Sequence, residues 1–323
     1  MDKGKLVLRH HLPKAILFNN LKNEIMRTTI FLIVFTLIVI FGCKKENTVV
    51  DKYYPQANQM DTIIQVGLTR TYKLHVPASY SGANKTALVI ALHGYTSSAT
   101  DFENQSRLDD KADVEGFIVA YPNGLQYPWT TSNPRAWNAG GEYGVWTGGT
   151  DDVGFIDQMI ELICRHYTID RNRIYATGHS NGSMMVYRLG YDLSCTIAAI
   201  AAHSGQMIYK QTKAPACKIH ILHLHALDDN AVPYYGDLSQ SILWPAIDTV
   251  LYRWAFWSSC NTKPDTIFHN SDYLIKAWIC SGDTLIKSYV LNKGGHTWFT
   301  KSNSVIQAND VIWEFFKAHP KQN

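Results

Sequence analysis

The sequence predicts an α/β domain with a mostly parallel sheet flanked by helices on both faces. Three observations carry that expectation. Apolar runs of strand length alternate with segments of helical spacing along most of the chain. Runs such as ALVIALHG (87–94) and FIVAY (117–121) are apolar without interruption, as expected of strands covered on both faces. Finally, 323 residues with 46% hydrophobic and 18% charged content can place nearly everything around one core.

Taken in order, TIIQV (62–66) and RTYKLHVP (70–77) read as two strands, followed by the turn-rich SYSGANK. ALVIALHG is a buried strand ending in His93-Gly94. DFENQSRLDDKADVEG is polar and helical, FIVAY is the next buried strand, and YPNG is a turn. A loop rich in Gly, Trp and Tyr runs from Leu125 to Thr150. Val153 to His166 has helical spacing, RIYATGHS (173–180) returns to strand, and SMMVYRLGY (183–191) is the following helix. TIAAIAAHSG, KIHILHLHALDD and TLIKSYVL add three more strands, and VIWEFFKAH is a terminal helix. No internal repeat is visible.

The first forty-odd residues stand apart. From Met26 the chain reads MRTTIFLIVFTLIVIFGC, with Arg27 before an apolar run from Ile30 to Phe41. That run is shorter than the roughly 20 residues of a bilayer span and matches a signal-peptide core ending at a small residue. The closing IFGC resembles the lipobox of bacterial lipoproteins, in which the cysteine is diacylated and becomes the new N-terminus. The expected organisation is a leader over 1–42, lipidation at Cys43, a linker over 43–60 and a catalytic domain over 61–323. The protein is then exported to the bacterial cell envelope, lipid-anchored to the membrane or secreted. An uncleaved anchor and a buried helix are the other readings of the apolar run. Residues 1–25 read either as an upstream stretch that is never translated or as a long leader.

Export changes two inferences. Residues 1–42 carry six Lys/Arg against Asp2 and Glu24, a net of +4, so the chain's +3 leaves about −1 for the remainder. A basic nucleic-acid footprint is therefore not expected. Outside the cytoplasm disulfides become possible. Besides Cys43 the chain has Cys164, Cys195, Cys217, Cys260 and Cys280, with no C-x-x-C or zinc-ribbon spacing. Cys195 and Cys217 bracket one segment and Cys260 and Cys280 another, so these two pairs are expected, with Cys164 a buried free thiol. Free thiols throughout are the alternative that an odd cysteine leaves open.

The chemistry centres on GHSNG (178–182), lying directly after RIYAT and before a helix. A serine between two glycines where strand meets helix matches a nucleophile elbow, a strained turn that projects the hydroxyl into a cleft. The string alone is a weak signal; its position is the informative part. A serine nucleophile needs a base within reach and an acid to orient the base, in the chain order Ser, Asp, His for this topology. After Ser180, the strand KIHILHLHAL ends in Asp228 and Asp229, and TLIKSYVL leads to NKGGHTW with His296. Both groups then sit past the carboxyl ends of strands, where loops converge on the active edge of a parallel sheet. An oxyanion hole requires preorganised N–H donors; those expected are the backbone N–H groups of Asn181 and of Tyr95. A competing pattern is HILHLH, where His223 and His225 share a strand face about 7 Å apart and could grip a metal. No third ligand stands at a characteristic spacing, so neither a metal nor a cofactor is expected.

RTYKLHVP, ALVIALHGY, AYPNG, TDDVGFIDQMI, DRNRIYATGHSNGSMMVYRL, HALDDNAVPY and GGHTW together resemble the secreted polyhydroxybutyrate depolymerase and feruloyl esterase group of α/β-hydrolases, carbohydrate esterase family 1. The resemblance implies the α/β-hydrolase fold and an exported serine carboxylesterase working through an acyl-enzyme, with Ser180 as nucleophile and His296 as base. Because that group's aspartate lies three residues before Val-Pro-Tyr, it also implies Asp229 rather than Asp228 as the acid. HALDD stands where the group usually has glycine after the histidine, and GGHTWF lacks a proline often found after the tryptophan. The expected partner is an ester substrate, polymeric in the form of a plant glycan ester or a polyhydroxyalkanoate. In the 125–150 loop, Tyr127, Trp129, Trp137, Tyr143 and Trp146 interrupt a turn-rich segment. Trp129 and Trp146, with Trp298 beside the base, are expected to line the cleft, core packing being the other reading. A serine peptidase and a non-catalytic glycan-binding lipoprotein are the alternative functions.

Overall fold

The computed structural model describes residues 57–127, 134–141, 147–237, 239, 244–280 and 285–321, all within one compact unit spanning Tyr54–Asn323. The expected leader, Cys43, most of the 43–60 linker, Trp129 and Trp146 lie outside the described residues.

The chain opens with an antiparallel ribbon, β1 (Met60–Gln65) and β2 (Leu68–His75). Val66 and Gly67 between them both take positive φ, the geometry that matches the twist of a two-residue hairpin. Then follow β3 (Thr86–Leu92), α1 (Ala99–Ser106), α2 (Leu108–Glu115), β4 (Ile118–Pro122) and the short pair β5 (Leu125–Gln126) and β6 (Arg135–Ala136). Next come α3 (Asp152–His166), β7 (Ile169–His179), α4 (Asn181–Asp192) and β8 (Ala199–His203). The chain continues through β9 (His220–Ala226), α5 (Ile247–Trp257), β10 (Asp265–His269), β11 (Tyr273–Ile279), β12 (Leu285–Leu291) and α6 (Ala308–Ala318).

Ten strands form one sheet in the order β1-β2-β4-β3-β7-β8-β9-β12-β11-β10. The six from β4 to β12 run parallel, and antiparallel strands border them on both sides. The segment between Cys260 and Cys280, expected to hold a strand and a loop, holds the hairpin β10–β11 instead. All five residues of β10 are exposed, so its sequence lacks the apolar run that marks the central strands.

Alternation along β3 shows how the sheet is covered. Leu88, Ile90 and Leu92 face a core completed by α3, α4 and α5, whereas Ala87, Val89 and Ala91 face a second core built with α1, α2 and α6. Each face removes apolar area from water at about 25 cal/mol per Å², which is why Ala87 to Leu92 are apolar throughout. Cys195 is bonded to Cys217 and Cys260 to Cys280, tying the approach to β9 and the end of β11 to the loops that follow α4 and α5. Cys164 is a free, half-buried thiol on α3.

Candidate active site

Neighbouring strands deliver the site. β3 ends in His93-Gly94, β7 in the turn to Ser180, β9 in Asp228-Asp229, and β12 in the loop to His296, all at the carboxyl edge of the parallel sheet. Ser180 has φ 57° and ψ −121°, a strained conformation for a residue with a Cβ. Its N–H donates to the His203 carbonyl at 3.0 Å, and its own carbonyl accepts from Met184 N–H at 3.0 Å. The flanking glycines explain themselves sterically. A Cβ on Gly178 would lie 2.8 Å from Gly182 and from the Leu92 carbonyl oxygen, and one on Gly182 would overlap the Leu92 and His93 carbonyls. The strained turn is thus pressed against the end of β3. Ser180 occupies the N-cap position of α4, yet its hydroxyl makes no capping bond, although serine commonly caps.

Three chain segments meet on the Asn181 side of Ser180. Asn181 opens α4, where the first N–H groups have no intrahelical acceptor. Its side chain accepts from Trp137 N–H at 2.7 Å and donates to the Trp137 carbonyl at 3.3 Å, while the Trp137 indole N–H donates to the His93 carbonyl at 2.9 Å. Trp137 therefore staples the end of β3 to the start of α4. His93 Nδ1 donates to the Gly94 carbonyl at 2.7 Å and Nε2 accepts from Gly124 N–H at 3.0 Å, which fixes the tautomer. Burial pushes its pKa down to about 4, so the ring is neutral. Gly94 lies against Ser180, a Cβ there meeting the serine Cβ at 3.4 Å, and Tyr95 follows it.

The acid side divides its work between two adjacent carboxylates. Asp229 Oδ1 accepts from Ala231 N–H at 3.0 Å and Val232 N–H at 2.9 Å; Oδ2 accepts from His296 Nδ1 at 2.8 Å, with His225 Nε2 at 3.4 Å. Burial alone would raise its carboxyl, but hydrogen bonds from His225, His296 and the Val232 amide outweigh it and hold the group well below the usual carboxylate range. Asp228 instead accepts from Gly294 N–H at 3.0 Å and Gly295 N–H at 2.8 Å, clamping the loop that carries His296. Gly295 has φ 57°, the left-handed conformation that favours glycine.

His296 is partly exposed, and its ring packs 4.8 Å from that of His179, the residue before Ser180. His179 in turn packs against His203. Both are fully buried and held neutral by desolvation, His179 at about 3 and His203 well below its ordinary value. They form an uncharged floor under the base. Composition gave no hint of this floor, because histidines at the ends of β7 and β8 look like any polar strand terminus.

One expectation requires correction. Trp298 does not line the cleft: it is 1% exposed, its indole N–H donates to Asn309 at 3.0 Å, and its ring packs edge-on to Phe102 and His203. In the 125–150 loop, Trp137 and Tyr127 are likewise core residues. Rings close to a site in sequence are drawn into the core where a buried partner satisfies the indole N–H. The His223–His225 pair is hydrogen bonded within itself at 3.0 Å, and among the described residues no cluster of three or more His, Cys, Asp or Glu is placed to hold a metal.

The loop is anchored at its base by the buried pair Arg70–Asp152 at 2.5 Å. Asp152 also accepts from Asn138 N–H at 2.7 Å, and Asn138 Nδ2 donates to the Thr150 carbonyl at 2.7 Å. Burial raises the Asp152 carboxyl, and Arg70 opposes that rise.

Comparison with known proteins agrees with this architecture. The Esterase PHB depolymerase family model matches residues 70–231, which include Ser180 and Asp229. The chain is 26% identical over 248 residues to the bifunctional acetylxylan esterase/xylanase XynS20E of Neocallimastix patriciarum, covering 75% of this chain and 32% of that protein. It is 29% identical over 231 residues to feruloyl esterase B of Piromyces equi, covering 68% of this chain and 41% of that protein. The chain thus spans 32% and 41% of the length of these relatives. The solved acetyl xylan esterase from Aspergillus awamori superposes with a TM-score of 0.59 at 17% identity, over 80% of this chain and 99% of that one, which shows the shared α/β-hydrolase fold. With half of its length matched by the family model, from Arg70 on β2 through both aspartates after β9, the chain belongs to the esterase PHB depolymerase family.

Proposed function

We propose that the protein is an exported serine carboxylesterase in which Ser180, His296 and Asp229 act as nucleophile, base and acid. The observation that carries this reading is the strained Ser180, at φ 57° with an uncapped hydroxyl, on the same sheet edge as an Asp229–His296 pair at 2.8 Å. His296 Nε2 takes the proton as Ser180 Oγ attacks the acyl carbonyl carbon. The carbonyl π electrons move onto oxygen, where the Asn181 and Tyr95 N–H groups meet the developing charge. Collapse breaks the C–O bond to the alcohol, which leaves with the proton from His296, and water then releases the acid by the same steps in reverse roles. Asp229, ionised and donor-rich, keeps the imidazole in the Nδ1–H tautomer and stabilises the imidazolium.

The substrate class we propose is an acyl ester of plant glycan, acetyl or feruloyl, in line with the acetylxylan and feruloyl esterases that the chain resembles. Trp129 and Trp146 are the proposed cleft rings. Export with lipidation at Cys43 is proposed from the leader and is supported by two disulfides, which persist in oxidising compartments. The domain bounds stay as proposed, a leader over 1–42, a linker over 43–60 and a catalytic domain from 61.

The test is a hydrolysis panel of p-nitrophenyl acetate, methyl ferulate, acetylated xylan, polyhydroxybutyrate and a peptide amide, run on the protein and on Ser180→Ala. Loss of the triad serine should remove about 10⁶ in rate. Ester activity surviving in Ser180→Ala refutes the mechanism. Turnover of polyhydroxybutyrate without ferulate or acetyl-xylan refutes the substrate class alone. Cys43→Ser should move the protein from the membrane to the soluble fraction, and mass spectrometry finding an unmodified N-terminus elsewhere refutes the anchor.

A further inference from the structure

Behind the acid lies a buried line of polar groups that the proposed reaction does not use. Tyr187 Oη on α4 is 2.8 Å from His223 Nδ1; His223 Nε2 is 3.0 Å from His225 Nδ1; His225 Nε2 is 2.8 Å from the Val232 carbonyl and 3.4 Å from Asp229 Oδ2. All three side chains are fully buried. The two histidines stand at i and i+2 of β9, on one face of the strand. Their rings lie nearly parallel, 18° apart.

The direction of this chain is fixed from its far end. A carbonyl only accepts, so His225 Nε2 carries hydrogen. With one proton per ring, His225 Nδ1 is then an acceptor and His223 Nε2 the donor to it. That leaves His223 Nδ1 to accept from the Tyr187 hydroxyl. Desolvation holds His223 neutral, in keeping with this arrangement. Every link donates toward the site, and the last N–H is shared: it donates to the Val232 carbonyl at 2.8 Å and faces, at 3.4 Å, the oxygen of Asp229 that also receives His296.

We infer that His225 is a positioning residue for the acid: the Tyr187–His223–His225 chain delivers a fourth donor to Asp229 and so fixes the plane and charge that His296 meets. The inference rests on the Ser180–His296–Asp229 reading. Two backbone amides fill Oδ1, and His296 bonds Oδ2, which leaves its remaining lone pair to the shared His225 N–H at 3.4 Å. Two leucines would occupy similar space on β9 without the cost of burying polar groups. A chain that runs in one direction and ends on the acid gains its value from the acid. The other groups facing His225 are the Tyr234 ring, 5.7 Å away and tied to Lys276 and Asp248, and His203 and His179 on the neighbouring strands. None of these offers Asp229 Oδ2 a hydrogen bond.

The experiment compares His225→Gln, His225→Leu, Tyr187→Phe and Ser180→Ala in the whole protein, following kcat and KM for p-nitrophenyl acetate from pH 5 to 9, with fluorophosphonate labelling of Ser180. Glutamine keeps an N–H near the Nε2 position; leucine keeps only volume. His225→Leu should lower kcat about 30-fold at unchanged KM, the range for losing a hydrogen bond to a charged group. It should also move the acid limb of kcat/KM up by about half a pH unit, because Asp229 with fewer donors holds the imidazolium more strongly. His225→Gln should recover to within about 5-fold with the limb in place, and Tyr187→Phe should shift the limb the same way by less. Equal losses in the Leu and Gln variants with an unmoved limb overturn the inference and leave only core packing. If His225→Leu fails to fold, the Tyr187→Phe profile decides: a shifted limb supports the chain and an unmoved one overturns it. Activity or labelling that persists in Ser180→Ala overturns the triad reading and the inference with it, whereas normal loss in Ser180→Ala beside a flat His225 series overturns the inference alone.

Discussion

Asp228 and Asp229 are adjacent, both carboxylates, and both bonded into the base loop, so replacing each by asparagine separates geometry from charge. In Asp229→Asn the amide oxygen can stay on the Ala231 and Val232 N–H groups, which places the NH2 opposite His296 Nδ1 and His225 Nε2. Two donors then face a donor. His296 escapes the clash by moving its proton to Nε2, where it points at Ser180 and cannot accept. Loss of the correct tautomer together with the ion pair is worth a factor of about 10⁴ in kcat, roughly 5 kcal/mol, as in the serine-protease example from which the general magnitude comes. In Asp228→Asn the oxygen that accepts from Gly294 and Gly295 N–H survives as an amide oxygen. Only the charge assistance is lost, about 1 kcal/mol or less than 10-fold. The assay is kcat on p-nitrophenyl acetate at pH 8, with circular dichroism to confirm folding. Asp228→Asn falling as far as Asp229→Asn would show that loop order, not the His296 tautomer, is what the carboxylates supply.

Gly182→Ala should abolish activity and cost more than about 2 kcal/mol in urea unfolding, since the new methyl overlaps two backbone carbonyls that cannot retreat; a stable, active variant contradicts the packed turn. Trp298→Ala should cost about 3–5 kcal/mol while leaving KM for methyl ferulate within 2-fold, the pattern of a core ring; a selective rise in KM returns it to the cleft. Acid should unfold the domain early. Burial lowers His203 and His223, and it holds His93 and His179 at about 4 and 3 against an ordinary 6.5. Their neutral state stabilises the fold fully above pH 6.5, and the contribution is lost as pH falls towards the folded values, about 2 kcal/mol apiece between pH 7 and pH 5. Two such losses are a large share of the roughly 5–15 kcal/mol that holds a domain together, His203 and His223 act in the same direction, and urea midpoints unchanged between pH 7 and pH 5 refute the buried cluster. Replacing Cys195 and Cys217 by serine should cost about 3 kcal/mol, as a loop of that length implies, read as a drop in Tm.

The central sheet was legible because each of its strands is covered on both faces, so β3 and β4 appear as apolar runs that no helix or loop imitates. The positions of Ser180 and His296 were legible because glycine marks each of them: close approach demands it at 178 and 182, and a left-handed turn at 295. The hairpin β10–β11 was less so, since an exposed edge strand owes nothing to a core. Trp298 misled for a different reason. Two residues past the base, the chain has already turned beneath the sheet edge, and sequence spacing cannot show which way it turns. The support of Asp229 was half visible, for HILHLH was noticed as a histidine pair on one strand face, but its partner Tyr187 lies 36 residues away on α4.

The bond from Asn138 to Thr150, with Trp137 stapled to the turn at Ser180 on one side and Asp152 locked to Arg70 on the other, holds the two ends of the intervening segment side by side. Engineering that exchanges the segment between them must keep Ala139 and Thr147, both buried, and Gly140, where a Cβ would meet the Tyr209 ring at 2.8 Å. A graft that also keeps Trp137, Asn138, Thr150 and Asp152 inherits intact machinery, whereas one that begins two residues earlier severs the tie between the end of β3 and the start of α4.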